Sequence, residues 1–305
     1  MTHDGLLVID KPAGPTSHDV VQRVRRALGT RRVGHGGTLD PDATGVLLVA
    51  AGQATRFFPF LSKERKVYEG RIRLGFATDT YDASGRPVSE ECSDLPGLDE
   101  LASAMKAFEG ETLQTPPRYS AKKLGGRPVY KMARADEAFT LAPAVVTITR
   151  FVLRNYRPPE VVFEAECSAG TYIRSLAHDL GRSLGCGAHL AALRRTSVGP
   201  YRLTDAVDLA SLEEAAARGE AATLILPLER LLPWAPQVTV RPEAEALVRN
   251  GCSLDPSHLL TPFPDFGREG AGEGLTRLLS EGGKLLALAR PSAGGSSLHP
   301  FLVIV

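Results

Sequence analysis

The longest unbroken apolar run in this chain, Val46 to Ala51 between Gly45 and Gly52, constrains the fold more than any other feature. It is far shorter than the roughly 20 residues a membrane-spanning helix needs, so it predicts a buried strand, and a buried strand needs a core around it. With 305 residues, 43% hydrophobic and 23% charged, the chain can supply that core and has the length for one large domain or a large one plus a small one. The opening Met1-Thr-His-Asp-Gly5 lacks the basic-then-apolar order of a secretory signal. The expectation is therefore a cytoplasmic protein with no membrane partner.

Periodicity places the other elements. Residues 16–29 read as a helix capped by Thr16 or Ser17, with Val20, Val21, Val24, Ala27 and Leu28 on one face and Gly29 as its stop. A basic, Gly-rich loop from Thr30 to Pro41 then feeds the apolar strand. In Val67 to Leu74 the period is two, which puts Tyr68, Ile72 and Leu74 on the inner face. Residues 76–97 are turn-rich and acidic, 98–109 form a short amphipathic helix, and strands are expected at 144–153 and 161–167. After Ser168-Ala-Gly170, Thr171 is placed to cap a helix that buries Ile173, Leu176, Ala177, Leu180 and Leu184, with Tyr172 and Arg174 in its first turn and off the buried face. Strands and helices mix without a regular βαβ alternation, so the expectation is an α+β fold on a largely antiparallel sheet flanked by helices. Composition shifts near Leu226 to Pro233. Beyond it a strand at 237–241, a helix ending at Asn250-Gly251 and strands near 283–290 and 299–305 suggest a small β-rich domain. The expected division is 1–232 and 233–305.

Cys92, Cys167, Cys186 and Cys252 are spaced for neither a zinc cluster nor a disulfide framework, and are expected to be packed or inert thiols. The net charge of +1 conceals an uneven distribution. Six basic residues and no acid lie between Glu111 and Asp136, whereas 88–111 hold seven acids and one lysine. Arginine outnumbers lysine 28 to 8, a bias that suits phosphate contacts and that a GC-rich genome explains equally well. The Gly34-His-Gly-Gly-Thr-Leu-Asp-Pro41 segment matches neither a P-loop nor a dinucleotide fingerprint. His35 and Asp40 have no Ser or Cys at a nucleophile elbow and no second histidine nearby, so neither a hydrolytic triad nor a metal site is supported.

Gly5-Leu-Leu-Val-Ile-Asp-Lys-Pro12, Thr16-Ser17, the Gly34 to Pro41 segment with Ala43-Thr-Gly45, Pro117-x-Tyr119-Ser-Ala-x-Lys123, Gly170-Thr-Tyr-Ile-Arg174 and Leu193-Arg-Arg195 follow one another along residues 5–200. Together they closely resemble the TruB family of tRNA pseudouridine synthases, and the terminal segment resembles, more weakly, a PUA-type RNA-binding domain. The resemblance implies that Asp40 is the catalytic aspartate of a reaction turning uridine into pseudouridine in the T loop of tRNA, with no cofactor, no metal and no guide RNA. A carboxylate nucleophile suits this chemistry because it can form a covalent intermediate. Arg174 is expected to keep Asp40 ionised by opposite charge.

Tyr68 corresponds to the family tyrosine that stacks on the base and helps take the C5 proton. Tyr172 and Leu193 correspond to pocket residues, and His35 to one that contacts or displaces RNA bases. Lys11 is expected either to hold a phosphate or to shape the loop, and Asp10, Asp79 and Asp82 to be turn or surface residues. A stacked uridine must be extruded before Asp40 reaches it. The basic insertion at about 112–143, with Arg118, Lys122, Lys123 and Arg127, is therefore expected to be a mobile clamp on the RNA backbone. Gly36 stands where many members carry threonine, and is expected to loosen the loop and remove a hydroxyl near the RNA. The partner is thus a tRNA T stem-loop bound by a monomer. The rival readings are a chaperone that remodels the tRNA elbow and a small-molecule hydrolase built on His35 and Asp40.

Overall fold

The computed structural model describes residues 3–304 apart from 121–122, 130–131, 133–134, 136, 265–273 and 293, with only the backbone of 123 and 128. Strand β1 (Gly5–Lys11) leads into helix α1 (Ser17–Leu28). As its sequence predicts, Thr16 caps α1, accepting from the Asp19 N–H in a reciprocal capping box, and Gly29 ends it at φ +62°. Within the expected Gly-rich loop the structure contains a further strand, β2 (Val33–Gly36), paired antiparallel with β3 (Thr44–Ala51). Val-Gly-His-Gly has no alternation to announce a strand. It becomes one because a free edge of β3 is there to pair with.

The remaining elements of the large sheet are β4 (Lys66–Leu74), β5 (Gly110–Gln114), β6 (Ala144–Arg157), β7 (Glu160–Cys167) and β8 (Ala188–Val198). Helices α2 (Leu98–Lys106), α3 (Ile173–Ser183) and α4 (Leu209–Ala217) lie between or after them. The sheet has eleven strands, and its main path runs from the short strand Val207–Asp208 through β1, β3, β8, β4, β7 and β6 to β5. Pairing is antiparallel except at the contact of Val207–Asp208 with β1 and at the short contact of β8 with β3. The fold is thus α+β on a mostly antiparallel sheet. A second sheet of four strands follows the order β9 (Gln237–Thr239), β10 (Thr276–Leu279), β11 (Leu285–Pro291) and β12 (Leu298–Val303). Of these, β10 has no counterpart among the expected strands.

The apolar run in β3 has a direct physical cause. Its Leu47 and Val49, with Leu7 and Ile9 of β1, join the core under α1, α3 and α4. Its Val46, Leu48 and Ala50, with Leu6 and Val8, pack on the other side against Leu231, Leu232, Leu285, Leu288 and Leu302. A strand buried on both faces cannot alternate. Burying each such side chain contributes roughly 1.5–3 kcal/mol.

Cys167 and Cys186 are buried and Cys92 half-buried, but Cys252 is exposed, so of the expectation of packed or inert thiols the packed alternative does not hold there. Cys252 follows the end of a short helix on the surface of the small sheet, where nothing covers it. Among the described residues no helix is long and apolar enough to cross a membrane.

Candidate active site

Asp40 stands just beyond β2, in a loop fastened from three directions. The Ser17 hydroxyl, at the start of α1, donates to the Leu39 carbonyl (3.0 Å) and accepts from the Leu39 N–H (2.9 Å). The Lys11 ammonium donates to the carbonyls of Pro12 (2.8 Å), Pro41 (2.8 Å) and Ala43 (2.7 Å). The Arg195 guanidinium donates to the carbonyls of Gly37 (3.1 Å) and Val46 (2.7 Å). Gly45 lets the backbone of Arg195 pair with the start of β3. At φ +99°, a Cβ there would sit 2.1 Å from the Arg195 carbonyl oxygen.

The expectation that Lys11 could hold a phosphate is corrected by this geometry. Lys11 is 0% exposed and its three donors are occupied by three carbonyls, so it shapes the loop instead. Gly36 is likewise not slack. It is paired with Leu48 in β2, and a Cβ added to it would meet the Phe58 ring at 3.1 Å.

Arg174 reaches Asp40 from the first turn of α3 with two guanidinium nitrogens, Nε to Oδ2 at 2.9 Å and Nη2 to Oδ1 at 3.2 Å. Helix α3 lacks the expected Thr171 cap. The Thr171 hydroxyl donates to the Ser168 carbonyl, and Tyr172 is the capping residue, whose own side chain makes no capping bond. Buried Gln114 of β5 instead pins Tyr172 by its backbone, accepting from its N–H (2.7 Å) and donating to its carbonyl (3.1 Å).

Although off the apolar stripe, Arg174 is itself buried, which the sequence reading did not anticipate. It also donates to the carbonyl of Tyr119 (2.9 Å) and contacts the Asp82 carboxylate (3.3 Å). Asp82, expected on the surface or in a turn, therefore belongs to an Asp40–Arg174–Asp82 chain. The turn at 78–87 is carried against β8 and α3, with Asp82 in a parallel bridge to Leu190. Asp10 is also partnered, accepting from Arg194 at 2.7 Å, while Asp79 is a turn residue that accepts from the Arg86 N–H.

The Asp40 side chain keeps 44% of its surface exposed and so has an open side toward solvent. Burial of its remaining surroundings raises its pKa above the ordinary carboxylate value. Arg174 and Lys11 pull it back, whereas Asp82 and Asp42 push it higher. Arg174 thus favours the carboxylate, as expected, but does not outweigh desolvation.

Tyr68 lies on β4 with 6% exposure, as the period of two predicts. Leu193 is half-buried on β8, opposite Gly70. His35 is on β2, and its Nδ1 is buried with no hydrogen-bond partner. Burial lowers the His35 pKa, which favours the neutral ring.

In the basic segment, exposed Arg118 stacks over Phe139 with 5.4 Å to the ring centroid. Arg127 is paired with Glu137 at 2.8 and 3.1 Å, so the run free of acids in sequence is not free of them in space. Lys122 and the side chain of Lys123 lie outside the described residues. Among the described residues no group of three or more His, Cys, Asp or Glu side chains is placed to hold a metal.

Four residues of this arrangement carry no site role in the sequence reading: Asp82, Gln114, Ser17 and Arg195. Ser17 and Arg195 lie in motifs, Thr16-Ser17 and Leu193-Arg-Arg195, that marked them for attention, whereas Asp82 and Gln114 lie in none.

Two family models match the chain: the TruB family pseudouridylate synthase N-terminal domain over residues 25–173, and the tRNA pseudouridylate synthase B C-terminal domain over 174–233. Asp40 and Arg174 fall one in each. Curated proteins named tRNA pseudouridine synthase B are similar to this chain over most of its length. The one from Thermotoga maritima is 42% identical over 97% of this chain and 92% of its own, and that from Solibacter usitatus is 46% identical over 81% and 85%. A solved H/ACA RNP bound to a substrate RNA containing 2′-deoxyuridine superposes with a TM-score of 0.75 at 26% identity, over 100% of this chain and 86% of that one. An archaeal box H/ACA Nop10–Cbf5 complex gives 0.73 at 28%, over 99% and 86%.

Proposed function

The chain belongs to the TruB family of tRNA pseudouridine synthases, isomerases that form pseudouridine in tRNA, and from that premise we propose that it acts on a uridine of the tRNA T loop with Asp40 as nucleophile. The observation that carries this reading is the two-nitrogen grip of Arg174 on Asp40, in a loop that Ser17, Lys11 and Arg195 hold still. A carboxylate fixed in position, with one side open, can attack and form the covalent adduct that lets uracil turn. The target base is stacked inside the T loop, so it is flipped out before the attack. Tyr68 then stacks on it and takes the C5 proton, Tyr172 and Leu193 border the uracil, and His35 stands where the vacated or displaced bases lie.

Residues 1–232 form the catalytic domain in this proposal, and 233–305 an accessory RNA-binding domain of PUA-like kind. Arg118, with Lys122, Lys123 and Arg127, contacts the RNA backbone. The relatives that span nearly the whole chain are named as tRNA enzymes, which supports tRNA as the substrate; in this proposal the chain acts on it as a monomer, without a guide RNA, in the cytoplasm.

The test is to expose an unmodified tRNA transcript to the purified protein and map pseudouridine. One new pseudouridine in the T loop is expected. Modification elsewhere would overturn the T-loop assignment, and remodelled tRNA with no changed base would favour the chaperone reading.

A further inference from the structure

Arg195 of β8 stands directly opposite Tyr68 of β4 in the antiparallel register. Both side chains are almost sealed from water, at 1% and 6% exposure. Opposed residues of such a pair share a face of the sheet, with Cβ atoms ~4.5–5.5 Å apart. The same guanidinium holds the carbonyl of Gly37, three residues before Asp40, and that of Val46 at the start of the buried strand. It therefore ties the nucleophile's loop to the strand that carries the tyrosine. Among the described residues no carboxylate forms an ion pair with it. Carbonyl dipoles solvate a buried guanidinium but do not cancel its charge, so its field still acts on whatever lies beside it.

We propose that Arg195 is a positioning residue of the isomerisation: it sets Tyr68 against the Asp40 loop and, by its charge, favours the phenolate form of Tyr68 that can take the C5 proton. The inference rests on the reading of Tyr68 given above. In that step the C5–H bond breaks and its electron pair becomes the C5=C6 double bond. The C6=N1 pair moves to N1, which takes a proton from water, and the new phenol O–H later returns its proton to water. A neutral phenol has no vacancy for that proton, so something must favour the phenolate.

Burial pushes the Tyr68 phenol up, and Arg195 acts against it, while Cys167 of β7 and Asp40 push it further up. Lys66, two residues along on β4, is the other buried cation there. Its ammonium donates to the carbonyls of Ser62 and Glu64, and burial with the Arg195 charge lowers its pKa to about 8. His35 also feels Arg195.

The experiment uses full-length wild type, Arg195→Met and Arg195→Lys. Each is assayed for kcat and KM on tRNA transcript between about pH 6 and 10, with melting temperature and tRNA affinity in parallel. In wild type the rate rises with pH as Tyr68 ionises. Removing the positive charge disfavours the phenolate, so Arg195→Met should move that limb to higher pH by about one unit or more. The neutral-pH kcat should then fall by about tenfold, because each unit is a factor of ten in phenolate, while KM stays near wild type. Arg195→Lys keeps the charge and should return the limb toward wild type even where it melts earlier.

Burial holds the Tyr68 phenol above its ordinary value, so the assayed range lies on the rising limb, where a displaced limb and a structural loss both lower kcat at every pH. Placing 3-fluorotyrosine at position 68 tells them apart: it raises kcat of Arg195→Met toward wild type if the phenolate is limiting, and the absence of that gain overturns the proposal. A folded Arg195→Met with the wild-type limb, or an Arg195→Lys displaced as far as Arg195→Met, would overturn the proposal. If Arg195→Met does not fold, Arg195→Lys and wild type carrying the more acidic 3-fluorotyrosine at position 68 decide it. The limb must then stay near wild type in the first and move to lower pH in the second, and either failing overturns the proposal. Wild type that makes no pseudouridine would instead fail the functional reading itself.

Discussion

The small-sheet side of strand β3 and the strand's starting end are held by different physics. On one side Val46, Leu48 and Ala50 meet the leucines of the small sheet in an apolar cluster. At the strand's start, Lys11 and Arg195 are buried on backbone carbonyls, and Arg174 is buried between two aspartates. Buried charge is an expensive way to hold a loop, because each ion gives up its water. The charged end therefore reads as built for position and field, and the apolar end for stability. Separate substitutions at the two ends should produce separate losses.

The largest loss is expected from Asp40→Asn. The amide keeps the size of the side chain but can accept from only one of the two Arg174 nitrogens, and it has no charge with which to attack. Pseudouridine formation should drop below detection while tRNA affinity stays within a few-fold of wild type, since binding energy comes mainly from phosphate and stacking contacts elsewhere. Tritium release from RNA labelled at uracil C5, beside a filter-binding titration, checks both. Release near the wild-type rate from protein shown free of deamidation would move the covalent step to another residue.

On the apolar face the expected effect is thermodynamic. Leu288 is 0% exposed and lies in the core shared by the two sheets. Leu288→Ala should cost about 2–5 kcal/mol of stability while leaving kcat of the folded protein near wild type. Thermal unfolding and turnover at a temperature where the variant is folded would show this. A large fall in kcat without a fall in stability would mean that the small sheet does more than support the strand. The same shared core predicts that a chain ending near 232 is destabilised, since Leu6, Val8, Val46 and Leu48 lose part of their cover.

The contrast between the two ends also explains what the sequence could reveal. Helix α1 was legible to its caps, and the inner face of β4 to each residue, because periodicity and capping are local. The apolar run announced its own burial. Lys11 was left between two roles, and Asp82 was given none beyond a turn or surface position, because a charged residue's sequence neighbours do not say whether the fold will seal it or bring it to a partner far along the chain. Arg174 lies 92 residues from Asp82 and 134 from Asp40. Nothing local in Val33 to Gly36 marked β2, which exists through its pairing with β3.

A smaller effect tests the electrostatics of the charged end. Burial first, and then Asp82 and Asp42, raise the Asp40 pKa, against Arg174 and Lys11. In the proposed reaction the attacking form is the carboxylate, so activity should fall as pH drops through this raised pKa, above the ordinary carboxylate range. Asp82→Asn removes one of the negative charges that push it up, so the acid limb should move to lower pH. At the same time Arg174 loses a partner at 3.3 Å, and kcat at its optimum should fall by about tenfold, or ~1.4 kcal/mol of transition-state stabilisation. A pH–rate profile of kcat settles the sign, and a limb moving to higher pH would contradict the electrostatic account.

The smallest effect concerns two arginines of the basic segment that are indistinguishable in sequence. Arg118 is exposed and has its guanidinium over the Phe139 ring, which leaves its charge available to a phosphate. Arg127 is held at 2.8 and 3.1 Å by both carboxylate oxygens of Glu137, so RNA must displace that partner before a phosphate can use the charge. A phosphate contact on single-stranded RNA contributes about −0.7 to the slope of log K against log salt. Arg118→Gln should therefore flatten the slope by about that amount. Arg127→Gln should flatten it less, because breaking the ion pair offsets part of the gain. Glu137→Gln frees Arg127 and removes a negative charge from the surface that meets RNA. It should raise affinity modestly and give a later Arg127→Gln change the larger slope effect that Arg118→Gln has in wild type. Salt titrations of tRNA binding for the three single variants and the Arg127–Glu137 double variant measure this directly. Equal slopes for Arg118→Gln and Arg127→Gln in wild type would show that the ion pair does not restrain Arg127 when RNA is bound.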